Sequence, residues 1–309
     1  MTTSAYDQGD ILSDYLEWYL DLGVDLILVQ DCNSVDGSQE ILRRFARHQA
    51  VRWFILPERN MQKYDSAHVL AQRAREEHGA DWIIQCDVDE FLCPVDRDLR
   101  TILTDARRED FTVITVPYFN MIGPPLRRGQ TATQALTLRI DRPVVESPGN
   151  FNAGRLSVPF IFVKLPAKTI VWAEALAGYG PGSHEATSVW GRNGDSEGLR
   201  FLHYPIRGYD KFQQKVRNTA AWLADNPHLE DWWGWHWRRW IRLEREGRLR
   251  EDYDNQFVSP TRAPELIREG ICTIDETIAR WRGRPRSGGI RGSVQRLLGS
   301  LRSTVAWRA

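Results

Sequence analysis

The chain has little cysteine and none of it at metal-binding spacing. Cys32, Cys86, Cys93 and Cys272 include no C-x-x-C pair, which argues against a thiolate zinc site. No apolar run is long enough to cross a bilayer, and the opening residues do not read as a secretory leader. Net charge is absent too: 41 basic side chains balance 41 acidic ones, so no global field draws the chain to nucleic acid. There is no internal repeat and no low-complexity tract. What remains is an ordinary globular chain, expected in a reducing cytoplasm. Its 309 residues, 42% of them apolar, suffice for one large domain and an extension.

What is present starts with Trp82-Ile83-Ile84-Gln85-Cys86-Asp87-Val88-Asp89-Glu90-Phe91. A short apolar run ends in three carboxylates within four residues. Such a run reads as a buried parallel strand, and ligands of open α/β sheets collect beyond the carboxyl ends of such strands. Spacing of two puts Asp87 and Asp89 on one face if the chain stays extended. Clustered carboxylates repel unless a cation or protons compensate. A hard divalent ion does so and carries phosphate oxygens on its open positions.

Strand and helix patterns alternate up to Pro94. Ile11, Leu12, Tyr15, Leu16, Tyr19, Leu20 and Leu22 repeat at helical spacing before Gly23. Leu26–Val29 reads as a strand, Ser38–Arg47 as a helix, Val51–Leu56 as a strand and Ala67–Glu77 as a helix. The expected class is α/β with a mostly parallel sheet flanked by helices. Leu99–Ala106 then reads as helix and Thr112–Pro117 as strand. Gly123–Pro166 is rich in Pro, Gly and Asn and reads as loops and short strands shaping an acceptor pocket. Asp210–Leu223 and Trp232–Glu246 read as helices.

Three segments resemble a known family. Val29-Gln30-Asp31-Cys32-Asn33-Ser34-Val35-Asp36-Gly37-Ser38 is similar to the V-x-D-x-G-S-x-D-G-T turn of family-2-type glycosyltransferases. Asp87-Val88-Asp89-Glu90-Phe91 is similar to the D-x-D-E-F metal motif of a bacterial branch of that group. His203-Tyr204-Pro205-Ile206-Arg207-Gly208-Tyr209-Asp210-Lys211-Phe212 resembles that branch's downstream H-[FY]-P-x-R-S-x-x-Q-F signature, with Gly208 in place of Ser. The three occur in order across residues 10 to 250. The resemblance implies a GT-A-like (Rossmann-like) fold, a nucleotide-diphosphate-sugar donor, Mn²⁺ or Mg²⁺, and inverting transfer. It also implies an opening strand beside the base; Thr2–Tyr6 reads as a poor one. Gln8 in Asp7-Gln8-Gly9-Asp10 removes a carboxylate that relatives would show.

Each candidate residue has a bland reading beside its functional one. Asp89 would ligate the metal directly, and Asp87 would contact the ribose or reach the metal through water; otherwise the two cap a helix or sit in a solvated loop. Asp31 closes an Asx-turn, contacts the nucleotide base or ribose, or does both. By the resemblance a downstream histidine completes the metal shell. His203 is favoured over His184, and a structural hydrogen-bonded role is the alternative for each. Glu185 in its Gly-rich loop is the candidate general base, with Glu90, Glu174 and Glu146 as rivals and a surface glutamate as the alternative. Arg207, Lys211 and Lys215 share a face. Arg207 suits a fork to the diphosphate, with Lys211 beside it, and Lys215 suits a solvated face.

The tryptophan-rich segment carries a stripe. Trp233, Trp237 and Trp240 fall on one helical face and read as core; Trp232 and Trp235 lie off it and read as the exposed pair. From Arg280 to Ala309 there are eight arginines and no acidic residue. Ile290, Val294, Leu297, Leu298, Leu301 and Val305 repeat at helical spacing there. This reads as a basic amphipathic tail on an anionic membrane surface, or as a docked or frayed terminus.

The combined reading is a metal-dependent, cytoplasmic glycosyltransferase, peripheral at the inner membrane face if its tail binds lipid. The catalytic domain covers 1–215, with a nucleotide-sugar half at about 1–95 and an acceptor half at about 96–215. A helical extension follows over 216–282 and the basic tail over 283–309. The acceptor is a glycan, a lipid-linked intermediate or a small glycoside. One alternative is a sugar nucleotidyltransferase, which lacks its Gly-rich phosphate loop here. The other is a non-catalytic scaffold that keeps the fold.

Overall fold

The computed structural model describes residues 1–56, 66–144, 158–229 and 234–284. In chain order the first elements are β1 (Thr2–Ala5), α1 (Leu12–Asp21), β2 (Ile27–Asp31), α2 (Ser38–Phe45), β3 (Val51–Ile55), α3 (Ser66–His78), β4 (Trp82–Ile84) and β5 (Glu90–Pro94). Next come α4 (Leu99–Arg108), β6 (Phe111–Val116), β7 (Tyr118–Ile122), α5 (Ala132–Ala135), β8 (Leu138–Ile140) and β9 (Lys168–Trp172). The strands β10 (Leu176–Tyr179), β11 (Ala186–Ser188), β12 (Arg192–Asp195) and β13 (Leu199–His203) follow. The last elements are α6 (Tyr209–Asp225), α7 (Trp235–Arg245), α8 (Leu249–Asp254), α9 (Ala263–Arg268), β14 (Cys272–Ile274) and α10 (Thr277–Arg282).

The class is α/β, but the sheets are mixed rather than mostly parallel. β1–β2, β2–β3 and β12–β6 run parallel, whereas β6–β9, β4–β9, β10–β11, β7–β8 and β14–β8 are antiparallel. The parallel pairs β1–β2 and β2–β3 belong to the alternating βα segment, where each helix returns the chain to start the next strand. Beyond Pro94 the antiparallel pairs join both near neighbours, as in β10–β11, and strands far apart in the chain, as in β6–β9, β4–β9 and β14–β8.

Two compact units emerge. The first comprises Met1–Tyr118, Ala167–Leu202 and the segment from Arg280. The second comprises Phe119–Pro166 and His203–Ala279. The division cuts β7 after Tyr118 and β13 after Leu202, within single strands.

In the first unit β1 pairs with β2 and, through a parallel Thr2–Gln85 bridge, runs beside the end of β4. Thr2–Ala5 is therefore a strand, contrary to its reading as a poor one. Three of its four residues are polar by type yet all but Ser4 are buried. Thr2 hydrogen-bonds Gln85, so the strand buries hydroxyls with partners rather than an apolar stripe. Pattern reading misses such strands. The strand order β3-β2-β1-β4 reverses direction at β1, and the crevice beyond the carboxyl ends of β1 and β4 is a topological switch point. Helix α3 covers one face, with Leu70, Ala71 and Ala74 against Leu28, Ile83, Val113 and Val171.

The second unit has its own core of Phe160, Phe212, Trp240, Leu249 and Tyr253 with flanking aliphatics. Trp240 is buried and donates its indole N–H to Asp252 at 2.8 Å, in keeping with the stripe reading. Trp235 departs from it: the ring packs on this core, 6.1 Å from Phe160, rather than standing exposed. Lys215 also departs from the solvated-face reading, since its ammonium sits over the Trp237 ring at 5.5 Å. Trp232, Trp233, Glu146 and residues 285–309 of the tail lie outside the described residues. Among the described residues no helix is long and apolar enough to cross a membrane.

Candidate active site

The carboxyl ends of β1, β2 and β4 carry the polar loops of the first unit. Those after β1 and β2 are laced together. Asp7 N–H donates to Ser34 Oγ at 2.9 Å, and Val35 N–H donates back to Asp7 Oδ1 at 2.8 Å. Gly9 N–H donates to Asp36 Oδ2 at 2.9 Å, and Gln8 N–H to Ser38 Oγ at 2.9 Å. A Cβ at Gly9 would lie 2.9 Å from the Asp36 carbonyl oxygen, so only glycine allows this approach. Asn33 takes φ 59°, where the resembling turn has glycine; asparagine tolerates the left-handed region.

Asp31 ends β2 and is fully buried. Its Oδ2 accepts from Ser34 N–H at 3.1 Å and from the Gln39 amide at 3.0 Å, the Asx-turn expected from sequence. Its Oδ1 is sealed from solvent with no hydrogen-bond partner among the described residues. Burial raises the pKa of this carboxyl, against the pull of the Ser34 and Gln39 bonds. A buried carboxylate oxygen left open costs free energy unless a ligand donor completes it.

The carboxylates after β4 do not stay extended. Residues 87–90 form a turn in which Glu90 N–H donates to the Asp87 carbonyl at 3.0 Å. Asp87 N–H donates to Glu90 Oε2 at 2.9 Å. Asp87 is exposed while Asp89 and Glu90 are buried, so the two aspartates do not share the face that extended backbone would give them. Helix α1 holds this turn from beneath. Tyr19 O–H donates to the Glu90 carbonyl at 3.0 Å and accepts from Leu92 N–H at 2.9 Å. The Trp18 indole donates to the Leu92 carbonyl at 2.9 Å. The apolar stripe of α1 thus places two aromatic polar tips under the motif. Tyr19→Phe removes these hydroxyl bonds, and the contact of the same hydroxyl with Cys86 Sγ at 3.2 Å, inside the core. It is expected to cost about 1–3 kcal/mol, read as a lower urea midpoint at unchanged slope.

Glu90 meets a partner that sequence reading missed. The Lys168 ammonium at the start of β9 lies 2.9 Å from Glu90 Oε1, with both side chains about 2% exposed. Tyr118 O–H donates to the same oxygen at 2.8 Å. Burial pushes the Glu90 pKa up to about 7; Lys168 pulls it down, and Asp87 and Asp89 push it up. No local pattern marks Lys168, because its partner lies 78 positions away along the chain.

Asp89, Glu90 and His203, all buried, each offer one ligand atom within 4.8 Å of the others. His203 closes β13. Asn120 donates its amide to the Ile161 carbonyl at 3.0 Å, so its oxygen faces His203 Nδ1 at 2.8 Å and accepts from it. That bond fixes the proton on Nδ1 and leaves the Nε2 lone pair as the ligating one. Two carboxylates and a neutral imidazole suit a divalent ion of the Mn²⁺ kind, and the residues present fit one.

Other candidates fall elsewhere. His184 donates Nδ1–H to the Ala167 carbonyl at 3.0 Å, with its ring edge-on to Tyr118 at 5.7 Å between centroids. Neither it nor Asp87 belongs to the three-ligand group. Glu185 is exposed at the tip between β10 and β11, and Glu174 is exposed in the turn before β10. Arg207 is 5% exposed, just before α6, and Lys211 is half-buried on its first turn.

No family model and no curated protein matches the chain. Among solved structures it is similar to S. aureus TarS, at 11% identity over 80% of this chain and TM-score 0.42. The chain spans only 42% of that one. It is also similar to TarS 1-349 in complex with UDP-GlcNAc (12% identity, 93% of this chain, 98% of that one, TM-score 0.39). A third likeness is the mannosyltransferase PcManGT from Pyrobaculum calidifontis in complex with GDP-Man and Mn²⁺ (12% identity, 99% and 80% covered, TM-score 0.39). Likenesses this loose carry no argument, and the site stands on its own residues.

Proposed function

We propose that the chain is a GT-A-like glycosyltransferase that moves a sugar from a nucleotide-diphosphate sugar to a hydroxyl acceptor, with inversion. One observation carries this reading. At the carboxyl edge of β1, β2 and β4, a sealed and unsatisfied Asp31 oxygen stands beside loops that also supply a carboxylate turn. An unfilled buried acceptor suits an N–H of a nucleotide base. A carboxylate turn suits the cation that accompanies a diphosphate.

In this reading Asp31 orients the base, and Asp87, exposed at the turn, contacts the ribose. Asp89, Glu90 and His203 hold the divalent ion. A bound Mn²⁺ or Mg²⁺ supplies charge to the leaving diphosphate. Arg207 is assigned to the same diphosphate as a planar fork, with Lys211 as its neighbour. Glu185 takes the proton of the acceptor hydroxyl as that oxygen attacks the anomeric carbon; the bond to the nucleoside diphosphate breaks on the opposite face. The region between residues 123 and 166 shapes the acceptor side. The tail from residue 283 supports contact with a membrane surface, as a lipid-linked acceptor would need.

The test is turnover. Purified protein with Mn²⁺ and a panel of uridine and guanosine diphosphate sugars is expected to release nucleoside diphosphate from at least one donor. A folded sample that binds nucleotide yet releases none from any donor, with glycan or lipid-linked acceptors supplied, would point to the scaffold reading instead.

A further inference from the structure

The buried Lys168 ammonium belongs to two segments at once. On one side it pairs with Glu90 in the carboxylate turn. On the other it donates to the Gly182 carbonyl at 2.7 Å, in the loop between β10 and β11. Its neighbours in the chain grip the same loop. Thr169 Oγ1 donates to the Ser183 carbonyl at 3.2 Å, and the Ala167 carbonyl meets His184 Nδ1 at 3.0 Å. Three consecutive residues, Ala167 and the first two of β9, thus hold three consecutive residues of the loop.

The loop needs holding. Gly182 has φ 65° and Ser183 has φ 57°, so two successive residues sit in the left-handed region and one has a side chain. A non-glycine residue there persists only where its surroundings over-determine it. Within the loop Ser183 N–H reaches the Gly180 carbonyl at 3.1 Å, and Gly180 N–H reaches the Glu185 carbonyl at 2.9 Å. The backbone of Glu185 is therefore fixed by the turn that Lys168 fastens.

We propose that Lys168 is a positioning residue: its ammonium fastens the Glu185-bearing loop to the carboxylate turn, setting the proton-accepting carboxylate against the site that holds the donor. This rests on the glycosyl-transfer reading for its chemistry, but the fastening itself does not. The side chain has the right form for the task. Lysine is a point charge with three donors, and here it spends them on a carboxylate and a carbonyl from two different segments. The Tyr118 ring, 5.6 Å from the ammonium, closes the remaining side. A glutamine would offer two donors and no charge for Glu90; a methionine would offer neither.

Lys168→Met, Lys168→Arg and the double variant Lys168→Met/Glu90→Gln test this. The double variant removes both buried charges, so it keeps the question open if the single variant fails to fold. The first readout is amide hydrogen exchange at Gly180 and Ser183. Both Met variants are expected to speed it by about tenfold, the loss of one charge-assisted bond, and Lys168→Arg to restore most of the protection. The second readout is turnover of the donor identified for the wild type. Lys168→Met is expected to lower kcat by about 10²-fold, as loop misplacement does. The donor KM is expected to hold within about twofold, because only the proton-accepting side has moved. Wild-type exchange at both amides in both Met variants would overturn the proposal. So would a loss expressed in donor KM alone. A wild type that turns over no donor would sink the transfer reading, while the exchange result would still decide the role of Lys168.

Discussion

Asp89→Ala is expected to lower kcat by about 10³-fold and to abolish the metal dependence of nucleotide binding. Asp89 is 3% exposed and belongs to the only three-ligand group found among the described residues. Glu90, the other carboxylate of the group, offers it one ligand atom and also accepts from Lys168, Tyr118 and the Asp87 backbone N–H, so it has no second ligand atom to put in place of Asp89. The fold should survive, because the turn is held by backbone bonds and by Tyr19 rather than by the Asp89 carboxylate alone. Asp87→Ala makes the informative comparison. Its side chain is exposed and its tie to the turn runs through its N–H, so a drop of only about tenfold is expected, the loss of one polar contact. Steady-state release of nucleoside diphosphate, with Mn²⁺ varied, measures both. Equal losses in the two variants would contradict the division of roles.

Asp31→Asn is expected to weaken nucleotide affinity by about 10- to 100-fold, or 1.4–2.8 kcal/mol. The amide can keep its oxygen toward Ser34 N–H, and its NH₂ then points where Oδ1 stood. If it flips, the NH₂ faces Ser34 N–H instead. One donor opposes another in either pose. Free protein should unfold within a few degrees of the wild type, since the side chain volume is kept and a buried charge is removed. The same geometry ranks the bases. A lone carboxylate oxygen welcomes the ring N–H of uracil or guanine and repels the ring nitrogen lone pair of adenine or cytosine. Titration of uridine, guanosine, adenosine and cytidine diphosphates against both proteins checks affinity and ranking together. Unchanged affinity in the variant would place the base elsewhere.

The alternating half of the chain was legible because each element there carries its own period. The stripe Leu12, Tyr15, Leu16, Tyr19 gave α1, and the short apolar runs gave β2, β3 and β4 within a residue or two. The turn after β2 was legible for a different reason: Asp, Asn, Ser and Gly each have a defined use in turns, and the hydrogen bonds follow that chemistry. The place of Asp89 just after a strand was legible too, and it is that place which makes it a candidate.

What was not legible depends on partners distant in sequence. β1 lacks an apolar pattern and is defined by its pairing with β2 and Gln85. Extended spacing placed Asp87 with Asp89 on one face, but the bond from Asp87 N–H to Glu90 curls the turn and separates them. Trp235 was assigned outward on helical spacing alone, yet Phe160 from another segment covers it. Lys168 shows the limit most plainly, because a buried lysine is unintelligible until the buried glutamate beside it is known. The strands β9 and β12 were missed because each is short and pairs with segments far along the chain, and β10 and β11 because they are short strands without an apolar alternation.

Thermal unfolding with nucleoside diphosphates, with and without Mn²⁺, tests the central claim most directly. A ligand at a hundred times its dissociation constant adds about 2.7 kcal/mol, enough to raise the midpoint by a few degrees for a chain of this size. The expected result is a shift with uridine or guanosine diphosphate that requires Mn²⁺ and disappears in Asp89→Ala. No shift with any of the four diphosphates, or the same shift without metal and in Asp89→Ala, would contradict a metal–diphosphate site at the carboxylate turn.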